Sequence, residues 1–126
     1  MKNLTPLLTG EDLLRFADAM GLVVRDEGLL VSAAVRPAMN VFGRDLYPDV
    51  VTRAAVVMHS IVAHHPLVDG NKRLGWVALV TTLALNDVVL DVDDDEAFDL
   101  VIRVAEGSAD VEAIVAQVHV WIAGQR

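Results

Sequence analysis

No cysteine occurs among the 126 residues. That excludes disulfide staples, thiolate metal sites and a cysteine nucleophile. Nor does any stretch approach the roughly 18 consecutive apolar residues that a membrane-spanning helix needs. Even the run "VALVTTLAL" is interrupted by threonines. The N-terminal "MKNLTPLLTGEDLL" carries one lysine and no apolar core of signal-peptide length before its acids, so nothing points to export. The expectation is a soluble, cytoplasmic chain of a single domain, residues 1–126.

Positive charge is also scarce. Ten Lys and Arg stand against 18 Asp and Glu, a net charge of −8. A face that binds nucleic acid through its phosphates needs a surplus of cations, so that class is disfavoured. The one adjacent cationic pair, Lys72 and Arg73, is better suited to a small anion than to a polymer. Hydrophobic residues are plentiful at 54 %, above the usual range of about 45–50 %. The excess implies a generous core or apolar surface kept for a partner.

The periodicity predicts helices throughout. Thr9 or Gly10 can cap "EDLLRFADAMG", whose Leu13, Leu14, Ala17 and Met20 share a face. "DEGLLVSAAVR" is a second helix, stopped by Pro37. "PAMNVFGRDLYP" lacks helical period and reads as a hairpin or flap, residues 37 to 47. "DVVTRAAVVMHSIVAH" is apolar nearly all round, which marks a buried central helix ended by Pro66. Another helix starts near Asn71. "VVLDV" is an extended link, "DDDEAFDLVIRVAEG" opens with acids and closes with Gly, and Ser108 or Asp110 caps "VEAIVAQVHVWIAG". The fold class is all-α, a helical bundle with one short flap.

Between the two central helices lies "HHPLVDGNKR", residues 64 to 73, too polar for a packing segment. His65 stands where a helix ends, and an imidazole titrating near neutrality suits a general base for a hydroxyl. A lone histidine is more simply a surface residue, so the neighbours matter. Asp69 can hold a hard cation or cap the next helix. Gly70 permits a positive φ, and Gly70, Asn71 and Lys72 bring backbone donors to a helix start, an anion site. Lys72 and Arg73 are misplaced there on dipole grounds, unless an anionic ligand lies between them. The string is not a Walker A loop, lacking its first glycine and its hydroxyl. His59 and His119 read as packed or surface histidines.

"HPLVDGNKR" resembles the motif of the Fic/Doc family, His-x-Phe-x-Asp/Glu-Gly-Asn-Gly/Lys-Arg. It is most similar to the death-on-curing branch, which has Lys where others have the second glycine. "VRDEGLLVSAAVRPAMNVFGRDLYPD" and "NDVVLDVDDDEAFDLVIRVAEG" are similar to that branch's second helix and flap and to its later helices. Two positions depart from the pattern. Leu67 stands for the usual Phe, and Leu74 for the Thr that commonly follows the Arg.

The resemblance implies a Fic-like helical bundle whose motif loop joins two central helices. It makes His65 the base, Asp69 the Mg²⁺ site, and Gly70, Asn71 and Lys72 the phosphate cradle, with Lys72 and Arg73 neutralising charge and Arg73 acting in catalysis. The co-substrate would be ATP or another nucleoside triphosphate. The implied activity is that of a toxin in a toxin–antitoxin pair, transferring a γ-phosphate to a Thr or Ser hydroxyl of a target protein. That target would be translation elongation factor Tu. Lys72 is Gly in the nucleotidyl-transferring branch, so a lysine implies a nucleotide bound the other way round, with its γ-phosphate facing His65. AMP transfer to a protein hydroxyl and a non-catalytic phosphate- or partner-binding module are the alternative readings. The family's inhibitory pattern, Ser/Thr-x-x-x-Glu-Gly/Asn, is missing: "IRVAEG" has Ile102 for the hydroxyl, and "SADVEA" has Ala113 at its last position. A separate antitoxin, docking a helix near the motif loop, is the implied partner. No direct contact with nucleic acid or membrane is expected.

Overall fold

The computed structural model describes residues 5–125; the first four residues of the N-terminal stretch quoted above lie outside them. Six helices follow in order: α1 Gly10–Ala19, α2 Glu27–Val35, α3 Val50–His64, α4 Asn71–Leu85, α5 Asp94–Ala105 and α6 Val111–Gly124. A 3₁₀ turn, Arg36–Ala38, and two short antiparallel strands, β1 Asn40–Val41 and β2 Arg44–Asp45, lie between α2 and α3. The expected all-α, Fic-like fold with a small hairpin is what the chain forms.

The helix starts have local causes. Thr9, not Gly10, caps α1 through a capping box with Asp12. Asp26, Asp49 and Asp110 each accept a backbone N–H of the helix that follows. Asp110 therefore takes the capping role; the Ser108 hydroxyl donates back to the Arg103 carbonyl. The second helix stops one residue sooner than expected, at Val35, and Pro37 sits inside the 3₁₀ turn. Proline's fixed φ and missing N–H are compatible with a helix start, so it opens a new turn instead of only ending the old one. The "VVLDV" link forms no strand.

α3 is the axis of the molecule. Ten of its fifteen residues are buried, so it packs on more than one side. One apolar cluster joins it to α4, α5 and α6 through Met58, Leu79, Leu100 and Ile114. The other joins it to α1, α2 and α4 through Leu13, Leu30, Ile61 and Leu74. α3 and α4 lie close together where Gly75 faces Val62: a Cβ on Gly75 would come within 2.5 Å of the Val62 Cγ2. With α3 and α4 set by packing from both sides, the loop that joins them is set as well.

Candidate active site

α3 cannot run into Pro66, and the chain turns out of the helix at His65. His65 adopts the left-handed conformation, φ 54° and ψ 58°, as the C-cap of α3. Histidine is among the few side chains found there with any frequency, and the turn costs on the order of 1–2 kcal/mol. A neighbouring segment holds it in place. Arg25 donates to the His65 carbonyl through Nε at 2.9 Å and Nη2 at 2.5 Å. The amides of Arg25 and Asp26 both donate to the Pro66 carbonyl, at 2.8 and 2.9 Å, and that of Val68 to the Val23 carbonyl at 2.9 Å. The loop is thus stitched by backbone bonds to residues 23–26, with Leu67 opposite Val24 in an isolated bridge.

Leu67, standing where the family has Phe, is 1 % exposed. It points into the cluster shared by α1, α2, α3 and α4. Leu74, the other departure, is fully buried in the same cluster. The Asn71 side chain clasps the loop from the far end: its Oδ1 accepts from the Leu67 amide at 2.9 Å, and its Nδ2 donates to the Leu67 carbonyl at 3.1 Å. Gly70 has φ 85°, a left-handed conformation that favours glycine, and a Cβ there would stand 2.6 Å from the Leu22 Cδ2, so the leucine side chain would have to shift.

Gly70 opens α4, and no side chain caps it. Its own amide donates to Asp69 Oδ1 at 2.8 Å. The first N–H groups of the helix, from Asn71 onward, are therefore left for a ligand. Lys72 and Arg73 are exposed in that same turn. His65, Asp69, Gly70, Asn71, Lys72 and Arg73 all line one cleft of about 600 Å³, within the range of about 300–1,000 Å³ usual for small-molecule sites. Every sequence-predicted site residue is therefore brought together. His59, half-buried on α3, and His119, exposed on α6, are outside the cleft.

Two parts of the site have no local signal in the sequence. Arg25 lies 40 residues before His65, and nothing near it marks it as the clamp on that carbonyl. The opposite wall of the cleft comes from Trp76 of α4 and from Asp94, Ala97, Phe98, Val101 and Ala105 of α5. Those α5 positions fall at helical spacing, so a shared face is visible in the sequence. That this face looks across at the motif loop is not. The cleft is anion-seeking at one side and largely apolar at the other, which suits a ligand with a charged end and a flat or apolar end. Among the described residues no three His, Asp or Glu side chains gather to cage a metal. Asp69 alone is a single carboxylate, enough for a Mg²⁺ that keeps several waters and is otherwise held by substrate phosphates.

A family model described as Fic/DOC matches residues 7–83. The chain belongs to the Fic/Doc family. It is also 43 % identical over 119 residues to a curated protein named Toxin Doc from Mycolicibacterium smegmatis, strain ATCC 700084 / mc(2)155, covering 90 % of this chain and 92 % of that protein. No helix among the described residues is long and apolar enough to cross a membrane.

Proposed function

We propose that this Fic/Doc chain is the toxin of a toxin–antitoxin pair, and that it transfers the γ-phosphoryl group of ATP or another nucleoside triphosphate to a Thr or Ser hydroxyl of a target protein. One observation carries the reading. A histidine clamped at the mouth of the cleft shares one loop with the uncapped start of α4, and Lys72 and Arg73 lie in the same turn. A loop that only recognised phosphate would have no use for a base. The relative named Toxin Doc supports the toxin reading.

In this reaction the target oxygen attacks the γ-phosphorus while its proton passes to a ring nitrogen of His65. The bond from the γ-phosphorus to the bridging oxygen breaks, and the nucleoside diphosphate leaves. Phosphoryl transfer asks for positioning and charge stabilisation above all. The first amides of α4 orient the phosphates, and Lys72 and Arg73 offset the charge of the terminal group. Asp69 would help hold Mg²⁺, which when bound neutralises phosphate charge. The Asn71 side chain keeps the cradle in shape from behind. Elongation factor Tu is the target that the resemblance favours, and a translation factor as target implies action in the cytoplasm.

Without the inhibitory pattern in its own chain, the protein needs a partner to silence it. A second groove supports a docking place close to the loop. It lies between α2, the 3₁₀ turn and the end of α3, lined by Val31, Val35, Met39 and His64. The three apolar side chains are 38 %, 56 % and 47 % exposed. An antitoxin helix laid there would sit beside the base.

The test supplies ATP labelled at either the γ- or the α-phosphate together with a bacterial extract. Label entering protein from the γ position alone is expected. Label entering from the α position would replace the kinase by a nucleotidyl transferase, and no label from either would remove the enzyme.

A further inference from the structure

The cleft has two unlike sides, and phosphate binding accounts for only one of them. On α5, Asp94, Phe98, Val101 and Ala105 recur at helical spacing on the wall opposite the motif loop, with Ala97 among them. Ala97 and Val101 are buried, while Phe98 is 67 % exposed, so small side chains make the floor of this wall and an aromatic ring stands in the open beside it. Trp76 of α4 lines the cleft as well. It packs edge to face with Trp121 of α6, the ring centroids 5.8 Å apart and the planes at 85°, so the core sets its plane before any ligand enters. Aromatic rings over a floor of small side chains suit a flat ring.

Asp94 is the odd member of this wall. It is exposed and lies in the first turn of α5, where an acid suits the helix dipole. Asp95 and Glu96 share that turn and do not line the cleft, so the dipole gives no reason for a carboxylate inside it. No side chain caps α5, and no ion pair among the described residues engages Asp94. A carboxylate repels phosphate, yet Lys72, Arg73 and the uncapped start of α4 share the same cleft. Both charges suit one ligand if its phosphates lie at the loop and an uncharged, N–H-bearing group lies at α5. An ionised carboxylate has two acceptor oxygens and no donor. The Watson–Crick edge of guanine carries adjacent donors, N1–H and N2–H, which meet those oxygens in two charge-assisted bonds. Adenine offers N6–H beside a bare N1, and that lone pair would face the second oxygen.

We infer that Asp94 selects the base of the nucleotide, and that the preferred co-substrate is a guanine nucleoside triphosphate with its base against Phe98 and Trp76. The inference rests on the phosphotransferase reading above in taking the ligand to be a nucleotide, and it adds which one. Ribose and triphosphate are the same in GTP and ATP, so the ratio of their affinities reports on the base alone.

The experiment measures binding to the full chain by equilibrium dialysis with Mg²⁺, using the β,γ-imido analogues of GTP and ATP and inorganic tripolyphosphate. The wild type is expected to hold the guanine analogue about tenfold or more tightly than the adenine one. Asp94→Asn is expected to abolish that preference or turn it towards adenine, because an amide pairs a donor and an acceptor as adenine does. Tripolyphosphate should bind this variant no more weakly than the wild type. Phe98→Ala should weaken both analogues by about tenfold and leave their ratio alone. A wild type that holds the two analogues equally, or adenine better, overturns the inference. So does Asp94→Asn with an unchanged ratio, which would put the carboxylate on the ribose, a metal or solvent, and so does undiminished binding in Phe98→Ala. A chain that prefers the guanine analogue but transfers no γ-label to protein in a bacterial extract supports the inference and counts against the phosphotransferase reading alone.

Discussion

α3 carries an irregular segment at each end, and the two are held in opposite ways. The motif loop at its C-terminus is stitched to residues 23–26 by three backbone bonds and clamped by Arg25, and Leu67 is sunk in the core. The hairpin ahead of its N-terminus exposes nearly every side chain and is tied down through Arg53 and Arg36. Backbone bonds in a packed setting leave atoms little freedom, and the chemistry proposed for His65 needs that. A ribbon held by side chains at its feet keeps its direction while its outer edge stays open. The difference is between a part whose atoms are fixed in place and a part whose outer edge is left open.

Substitutions in the two segments put that contrast at risk. The largest effect belongs to His65→Ala, expected to lower transfer by about 10²–10⁴-fold with melting and nucleotide binding nearly unchanged, since the ring is exposed. His64→Ala should cost far less, and equal losses from the two would remove His65 from the role of base. Next comes Leu67→Ala, which empties a side chain 1 % exposed and should cost about 2–5 kcal/mol in denaturant unfolding. Phe42→Ala at the hairpin tip should stay within about 0.5 kcal/mol.

Arg25→Ala sits between these. It removes the donors to the His65 carbonyl, so transfer should fall by about 10- to 100-fold for a stability loss of about 1–2 kcal/mol. A rate as fast as the wild type would mean the loop holds its shape on backbone bonds alone.

Phe42→Asn should act in the other direction. Phe42 and Gly43 have φ of 52° and 78°, the two positive values of a type I′ turn, where Asn-Gly is strongly preferred. Relief of the strained Phe should add up to about 1 kcal/mol of stability. If target transfer falls at the same time, the aromatic tip is kept for contact, not for folding.

The smallest effect is a slope. His59 is held below its ordinary value of 6.5, chiefly because burial disfavours the imidazolium, with the positive charges of Arg36 and His64 adding and Asp110 opposing. Its Nδ1 is buried with no partner. The unfolded chain therefore takes up this proton at a higher pH than the folded one. The stability is present above about pH 6.5 and is lost as pH falls through the folded value. His59→Gln should flatten the dependence of melting temperature on pH between about 7 and 5. An unchanged slope would show that other groups cause it.

Much of the fold is legible in the chain. Helix starts follow local chemistry, so Asp49 and Asp110 can be read as caps and Pro66 as the end of α3 without any tertiary information. Where local rules compete, the structure departs from the simplest reading. Pro37 reads as a stop but opens a 3₁₀ turn, and Leu67, smaller than the usual Phe, is nonetheless buried as deeply as a core residue. His65 through Arg73 form one continuous string, so the inner face of the site can be read in order.

The helices, the flap between two prolines and the set of polar groups on one loop are written in the chain itself, because each depends on residues within a turn or two of one another. What surrounds that loop is settled by packing. Arg25 reaches it across 40 residues, Phe98 and Asp94 face it from α5, and Arg53 ties the hairpin to α3 by a bond that exists only once the bundle has closed. Contacts of that kind arise from how helices pack, and packing depends on the shape of the whole core, which no short stretch of sequence contains.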